Sequence, residues 1–297
     1  MLFALLLAAA APDTASFQAL ADADARLVAI GRRLAKGGAG LCGGQVSNPG
    51  WTIEDVEQFG PALRGPVRAS LGLGDLPTIV SVEPGSAAAR AGVRKGDQIV
   101  SMNDVAVGAA SAKASRSRQD RLEAARAPLR VEVRRGGQPI AVQVAPEPGC
   151  ASDFLIGRGQ GLRAASSNGA RVTVSAQIID FSAGDDELAL VLAHELAHNI
   201  LGHNKGYGPQ RIAGADRSGA RGADREREAD RWALYLMARA GYDISKAPNF
   251  WRRWGPKTGF GILNDGTHPD WRDRAARAEA EVAVIRAQQA AGQVPIP

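Results

Sequence analysis

Between about Pro66 and Val144 the chain alternates apolar and polar residues in short runs, TIVSV, QIVSM, LRVEVRR and PIAVQVA, set apart by Gly, Pro and Asp turns. On either side the apolar residues fall at helical spacing instead. Upstream, FQALADADARLVAIGRRLAKGG places Leu20, Leu27, Ile30 and Leu34 on one face and stops at Gly37-Gly38. Downstream, a strand-like run RVTVSAQII leads into helical patterns. A period of 2 enclosed by a period of 3.6 calls for two separate cores, and 297 residues at 45% hydrophobic content are enough to fill both. The texture is α+β, with one helix candidate, Arg118 to Ala127, inside the β-rich block and Gly-rich links, GGAGLCGG and PEPGCASD, at its two ends.

Charge excludes some functions. The net charge of +5 comes from arginines dispersed along the whole sequence, with no basic block and little aromatic interleaving, which describes a solvated basic surface and not a nucleic-acid groove. The first residues, MLFALLLAAAAPDTAS, carry an apolar run too short for a bilayer, followed by small residues and a proline. This predicts a signal peptide over residues 1–11 and export, to the periplasm in a bacterial cell. No later run is long and apolar enough to cross a membrane.

Three of the four histidines lie in LVLAHELAHNILGH, residues 190–203. Asp185-Asp186 supply an acidic first turn, Leu188, Leu192 and Leu196 a buried stripe, and Gly202 a stop, so the segment is a helix. His194 and His198, four residues apart, leave the same face about 40° apart, so their imidazoles can share one metal ion. Glu195 stands beside that face, placed to act on an activated water without itself coordinating. This is the division of labour in an H-E-x-x-H metallohydrolase.

A catalytic metal of this kind needs a third protein ligand. In DREREADRWALYLMARAG, predicted helical from about Asp224 to Ala240, Glu226 and Asp230 share a face with Ala229 between them, a small residue that permits close helix approach. Glu226 can complete a His2Glu set, and Asp230 can accept a hydrogen bond from a ligand imidazole and fix its tautomer. His203 is the competitor. A metzincin pattern needs Gly at 201 and His at 204, where this chain has Leu201 and Asn204, and a continued helix turns His203 about 180° from His194, so it is assigned a structural or surface role.

VLAHELAHNILGH followed by EREAD resembles family M48 of zinc metallopeptidases, the gluzincins of the Ste24 and BepA kind. RVTVSAQIIDFSAGDDELALVLAHELAH resembles the edge strand and lead-in of that family's active-site helix. THPDWRDRAARAEA resembles its late H-P-x-x-x-x-R element through His268, Pro269 and Arg274, and DARLVAIGRRLA is similar to its opening helix. The resemblance implies one zinc ion held by His194, His198 and Glu226, with Glu195 as general base. It further implies His268 as a donor to the oxyanion or as a closing ligand, and Asp230 and Arg274 as supporting residues. It also implies an extended peptide substrate paired with the strand near Arg171 to Ile178.

The β-rich run LGLGDLPTIVSVEPGSAAARAGVRKGDQIVSMND resembles a bacterial PDZ domain. SLGLG, with Leu71, Gly72, Leu73 and Gly74, is expected to present free backbone N–H groups to a terminal carboxylate, and PTIVSV an edge for an added peptide strand. Together the two resemblances imply a mainly helical gluzincin-type domain with a small sheet, interrupted by a PDZ-like insertion. The expected division is an N-terminal helix at 12–42, the insertion at 43–149 and the zinc peptidase core at 150–297. Cys42 and Cys150, the only cysteines, stand at the two ends of the insertion, and in an exported protein a disulfide between them is expected. The implied function is an exported zinc endopeptidase acting on protein or peptide substrates, with the PDZ-like module recruiting or gating them through C-terminal peptides. The alternative, a non-hydrolytic chaperone-like binding protein with a structural zinc, leaves Glu195 without a task.

Overall fold

A computed structural model describes residues 14–107, 128–203, 222–258 and 269–297. The expected signal peptide, the helix candidate from Arg118 to Ala127 and His268 lie outside the described residues. The chain divides into two compact units, residues 1–29 with 46–148, and residues 30–45 with 149–297. Helix α1 (Thr14–Gly37) contributes its part up to Ala29 to one and the rest, from Ile30, to the other, and β1 (Gln45–Asn48) pairs with β8 (Glu147–Cys150).

The first unit is built on a sheet of β2 (Trp51–Glu54), β3 (Thr78–Val82), β4 (Gln98–Met102), β6 (Leu129–Arg135) and β7 (Gln138–Val144), in the order β2-β3-β4-β6-β7, with the short β5 (Val105–Ala106) beside β4. Alternation decides its inner face. In β6, Leu129, Val131 and Val133 are buried while Arg130 is exposed, and they pack with Trp51, Ile79 and Ile99. Two short helices lie between its strands in sequence, α2 (Pro61–Leu71) between β2 and β3 and α3 (Ala87–Arg90) between β3 and β4. A second small cluster joins Phe17 of α1 to Val56, Phe59, Val67, Leu71 and Leu73. At the K-G-D turn, Asp97 is fully buried. It takes two hydrogen bonds from the Arg135 guanidinium, at 2.6 and 2.7 Å, and one from the Arg94 N–H at 2.9 Å. The carboxylate's bonds to Arg135 raise that guanidinium's pKa above its ordinary value.

Two expectations for this unit are corrected. Strand β3 is an inner strand of its sheet: β2 of the same chain pairs along it from Thr78 to Val82, and β4 pairs with it at Thr78 on the other side. Nor are the N–H groups of SLGLG free. Gly72, left-handed at φ 65°, terminates α2, and both its N–H and that of Leu73 donate to the Arg68 carbonyl, while the Gly74 N–H donates to Thr78 Oγ1 at 3.1 Å. The loop is a helix cap, spent on ending α2.

The second unit carries a three-stranded sheet, β9 (Asp153–Ile156), β10 (Ala165–Ser167) and β11 (Arg171–Val174), in the order β10-β11-β9. Its helices are α4 (Ala176–Phe181), α5 (Asp185–Leu201), α6 (Gly222–Arg239), α7 (Ala247–Thr258) and α8 (Trp271–Ala290). The strand expected through RVTVSAQII stops at Val174 because the Ser175 hydroxyl accepts the Ile178 N–H and caps α4. Helix α5 is buried on every side from Glu187 to Leu201, so it is the core of the unit and not an amphipathic surface helix. Cys42 and Cys150 form a disulfide with Cα atoms 5.8 Å apart, joining the chain segments that lead into and out of residues 46–148.

Candidate metal centre and active site

The donor atoms of the site come from α5 and α6, whose close approach is allowed by the fully buried Ala229 between Glu226 and Asp230. The Nε2 atoms of His194 and His198 lie 3.1 Å apart, and the Glu226 carboxylate reaches each of them at 3.3 Å. These three residues form a group able to hold a metal ion. A tetrahedral metal with ligand bonds of ~2.0–2.1 Å requires donors ~3.3–3.4 Å apart, which is the spacing found here. The donor set, two imidazole nitrogens aimed at each other and one carboxylate, therefore fits a small divalent cation.

Each histidine is held from behind. The Asp230 carboxylate lies 2.9 Å from Nδ1 of His194, and the Arg274 guanidinium grips the same carboxylate with two nitrogens, Nε at 2.7 Å. Arg274, 4% exposed, is itself stacked 3.5 Å above the Trp251 ring. Burial alone would depress the His194 imidazolium, but the hydrogen bonds it gives to Asp230 and then to Glu226 outweigh it and push its pKa up to about 10. Burial works against the charged forms of Glu226 and Asp230 as well. The histidines beside Glu226, and Arg274 with His194 beside Asp230, overcome it and hold both carboxyls below their ordinary range. Without metal, a proton occupies the electrostatic well that a cation would fill.

Glu195 borders a cavity of about 430 Å³ together with the three donors. One wall is apolar and aromatic, formed by Ile178, Val191, Phe250, Trp251 and Trp254. The facing wall is β10, Ala165 to Ser167, an outer strand of its sheet. Strand β11, where the substrate was expected to pair, is instead flanked on both sides by β10 and β9. Hydrogen bonds from Ser175 N–H to the Ala164 carbonyl and from Asn168 N–H to the Arg171 carbonyl show that even-numbered residues of β10 face β11. By alternation, the N–H and C=O of Ala165 and Ser167 face the other way.

Sequence reasoning missed two groups. Asn199, one residue after the second metal-site histidine and 1% exposed, accepts the Gly169 N–H at 2.6 Å and donates to the Arg171 carbonyl at 3.2 Å, tying α5 to β11. A lone asparagine in a fully buried apolar helix was the available signal. His203 was assigned a structural or surface role, yet its ring nitrogen Nδ1 lies 3.0 Å from Nδ1 of His198. Helix α5 ends at Gly202, left-handed at φ 67°, and the chain folds back so that the His203 N–H donates to the His198 carbonyl at 3.0 Å. The extrapolation of a continued helix therefore fails at this residue.

Residues 159–206, from before β10 through the metal-site helix to just past His203, match the model of peptidase family M48. Residues 78–135 match the PDZ domain. A solved structure similar to this chain is the PDZ domain of HtrA3 bound to a phage-derived ligand, FGRWV, at 24% identity, covering 35% of this chain and 88% of that one with a TM-score of 0.26. No curated protein matches. With the metal-site geometry and these two matches, the chain carries an M48-type metallopeptidase segment together with a PDZ domain.

Proposed function

We propose that this protein is an exported zinc endopeptidase that cleaves extended protein or peptide segments laid along β10. The observation that carries the reading is the cluster of His194, His198 and Glu226 donors at tetrahedral spacing, in one cavity with Glu195 and beside an outer strand. A zinc ion held there supplies Lewis-acid polarisation of the scissile carbonyl and acidifies water. The outward backbone groups of Ala165 align the substrate as an added strand. The aromatic wall of Phe250, Trp251 and Trp254 keeps bulk water out and accepts an apolar side chain next to the scissile bond. Glu195 takes the proton from the attacking water and returns it to the leaving amine. The PDZ domain recruits or gates substrate, a role supported by its family match. Export is supported by the Cys42 to Cys150 bond, since such bonds persist in oxidising compartments.

Glu195→Gln tests the reading. The variant should bind one zinc per chain as the unaltered protein does and lose about 10²- to 10⁴-fold or more of its rate on unfolded casein. His194→Ala and Glu226→Ala should instead lower zinc occupancy. Full casein cleavage by Glu195→Gln, or no zinc in the unaltered protein, rejects the function.

A further inference from the structure

Behind His198 runs a second line of polar groups that the proposed chemistry does not use. His203, its side chain 2% exposed, sets its Nδ1 at 3.0 Å from Nδ1 of His198 and its Nε2 at 3.3 Å from the Glu228 carboxylate on α6. With a cation at His198 Nε2 and His203 neutral, the hydrogen-bonding capacities along this line allow one arrangement. A carboxylate has no proton to give, so the His203 Nε2 must be the donor toward Glu228. A neutral imidazole that carries its proton on Nε2 offers a bare Nδ1, which can only accept. The proton between the two Nδ1 atoms then belongs to His198. That leaves the His198 Nε2 lone pair for the cation, at the point shared with His194 and Glu226.

We propose that Glu228 and His203 are positioning residues that fix His198 as the Nδ1–H tautomer and so prepare its Nε2 for metal. This inference rests on the zinc-site reading above and deepens it. The site is then organised as two parallel supports, each ending in a carboxylate of α6. Asp230 acts directly on the Nδ1 side of His194, whereas Glu228 acts on His198 through the intervening His203. His203 acts at a distance because the reversal at Gly202 carries it back over the last turn of α5. Support of this kind behind a metal-ligating imidazole is worth ~10- to 100-fold in metal affinity.

The test is zinc affinity, measured by competition with a chromophoric chelator on the full chain. His203→Leu removes the acceptor behind His198 and should weaken zinc binding about 10- to 100-fold. His203→Asn places a side-chain carbonyl where Nδ1 stood and should restore affinity to within about threefold, a rescue that a purely space-filling role for His203 would not show. Glu228→Ala, which alters a partly buried carboxylate outside the apolar core, is the second variant. It should weaken zinc binding several-fold and release the Nε2–H tautomer of His203 in long-range ¹⁵N–¹H spectra of the zinc-loaded protein. Zinc affinity unchanged in folded His203→Leu or Glu228→Ala, or a His203 proton found on Nδ1 in the zinc-loaded protein, overturns the proposal. Failure of the unaltered protein to bind zinc would instead reject the peptidase reading, so the two failures are distinct.

Discussion

The side-chain oxygen of Asn199 accepts the Gly169 N–H at 2.6 Å, and this bond fixes the helix that carries two of the three metal donors against the loop joining β10 to β11. The outer strand is thereby set in register with the catalytic groups, since Asn199 is one residue from His198 and Gly169 lies two residues past the end of β10. Asn199→Ala strands a buried N–H and a buried carbonyl and should cost about 1–3 kcal/mol in thermal or denaturant unfolding. Its activity should fall more than its zinc affinity, because Asn199 bonds α5 to the β10–β11 loop and not to α6, so the donor set is kept while the outer strand shifts. Equal losses of the two would show that Asn199 serves stability alone.

Ala165→Pro examines the rail itself. Proline removes one outward-facing N–H from an edge position where proline is tolerated. The expected outcome is a fall of about tenfold or more in kcat/KM on peptide substrates, with zinc stoichiometry and Tm near those of the parent. Unchanged kcat/KM would place the substrate elsewhere than on β10.

Metal binding should be linked to protons through His194. Its folded pKa, about 10, stands above the ordinary 6.5, so the stability it gives the metal-free protein is complete below about pH 6.5 and is lost as pH rises through 10. Glu226 and Asp230 are depressed, and their contribution is present above their ordinary range and lost as pH falls. The chelator-treated protein should therefore be most stable near pH 5–6.5, and the Tm gap to the zinc-loaded protein should widen toward pH 9. Titration calorimetry in buffers of different ionisation heat should show about one proton released per zinc at pH 8, and less above pH 10. No proton release at pH 8 would contradict the raised His194 pKa.

Asp97→Ala separates the two units. The change leaves the Arg135 guanidinium and the Arg94 N–H without their shared partner and should lower the stability of the PDZ unit by about 3 kcal/mol. Zinc affinity should not change. A single calorimetric transition that shifts as a whole, with no early unfolding step, would show that the two units unfold together.

What could be read from the sequence was local. His194, Glu195 and His198 share one helical turn, and Glu226 and Asp230 one face of another, so spacing alone places each set. The β-alternation of Leu129, Val131 and Val133 likewise marks an inner face without reference to any partner. Partner choice could not be read this way. Nothing in RVTV says that β9 and β10 will occupy both its edges, and nothing in TIVSV announces that WTIE from earlier in the chain will take the edge reserved for a ligand. The errors at His203 and SLGLG share a cause. Both follow a left-handed glycine that ends a helix, and helical rotation beyond such a residue no longer describes where side chains or N–H groups lie.

The Cys42 to Cys150 bond also changes what a cut in the chain means. Every peptide bond between residues 43 and 149 lies on a loop closed by that bond, so cleavage anywhere within it leaves one covalent molecule. Residues 1–42 and 150–297, which hold α5 and α6, would stay attached to each other through sulfur even if the whole PDZ segment were nicked. A protease exposed to its own activity, or to others, can thus lose the continuity of its inserted segment and keep its metal-site helices fastened to α1. On a gel, such a nicked species would run as a single band until a reductant separates it into two.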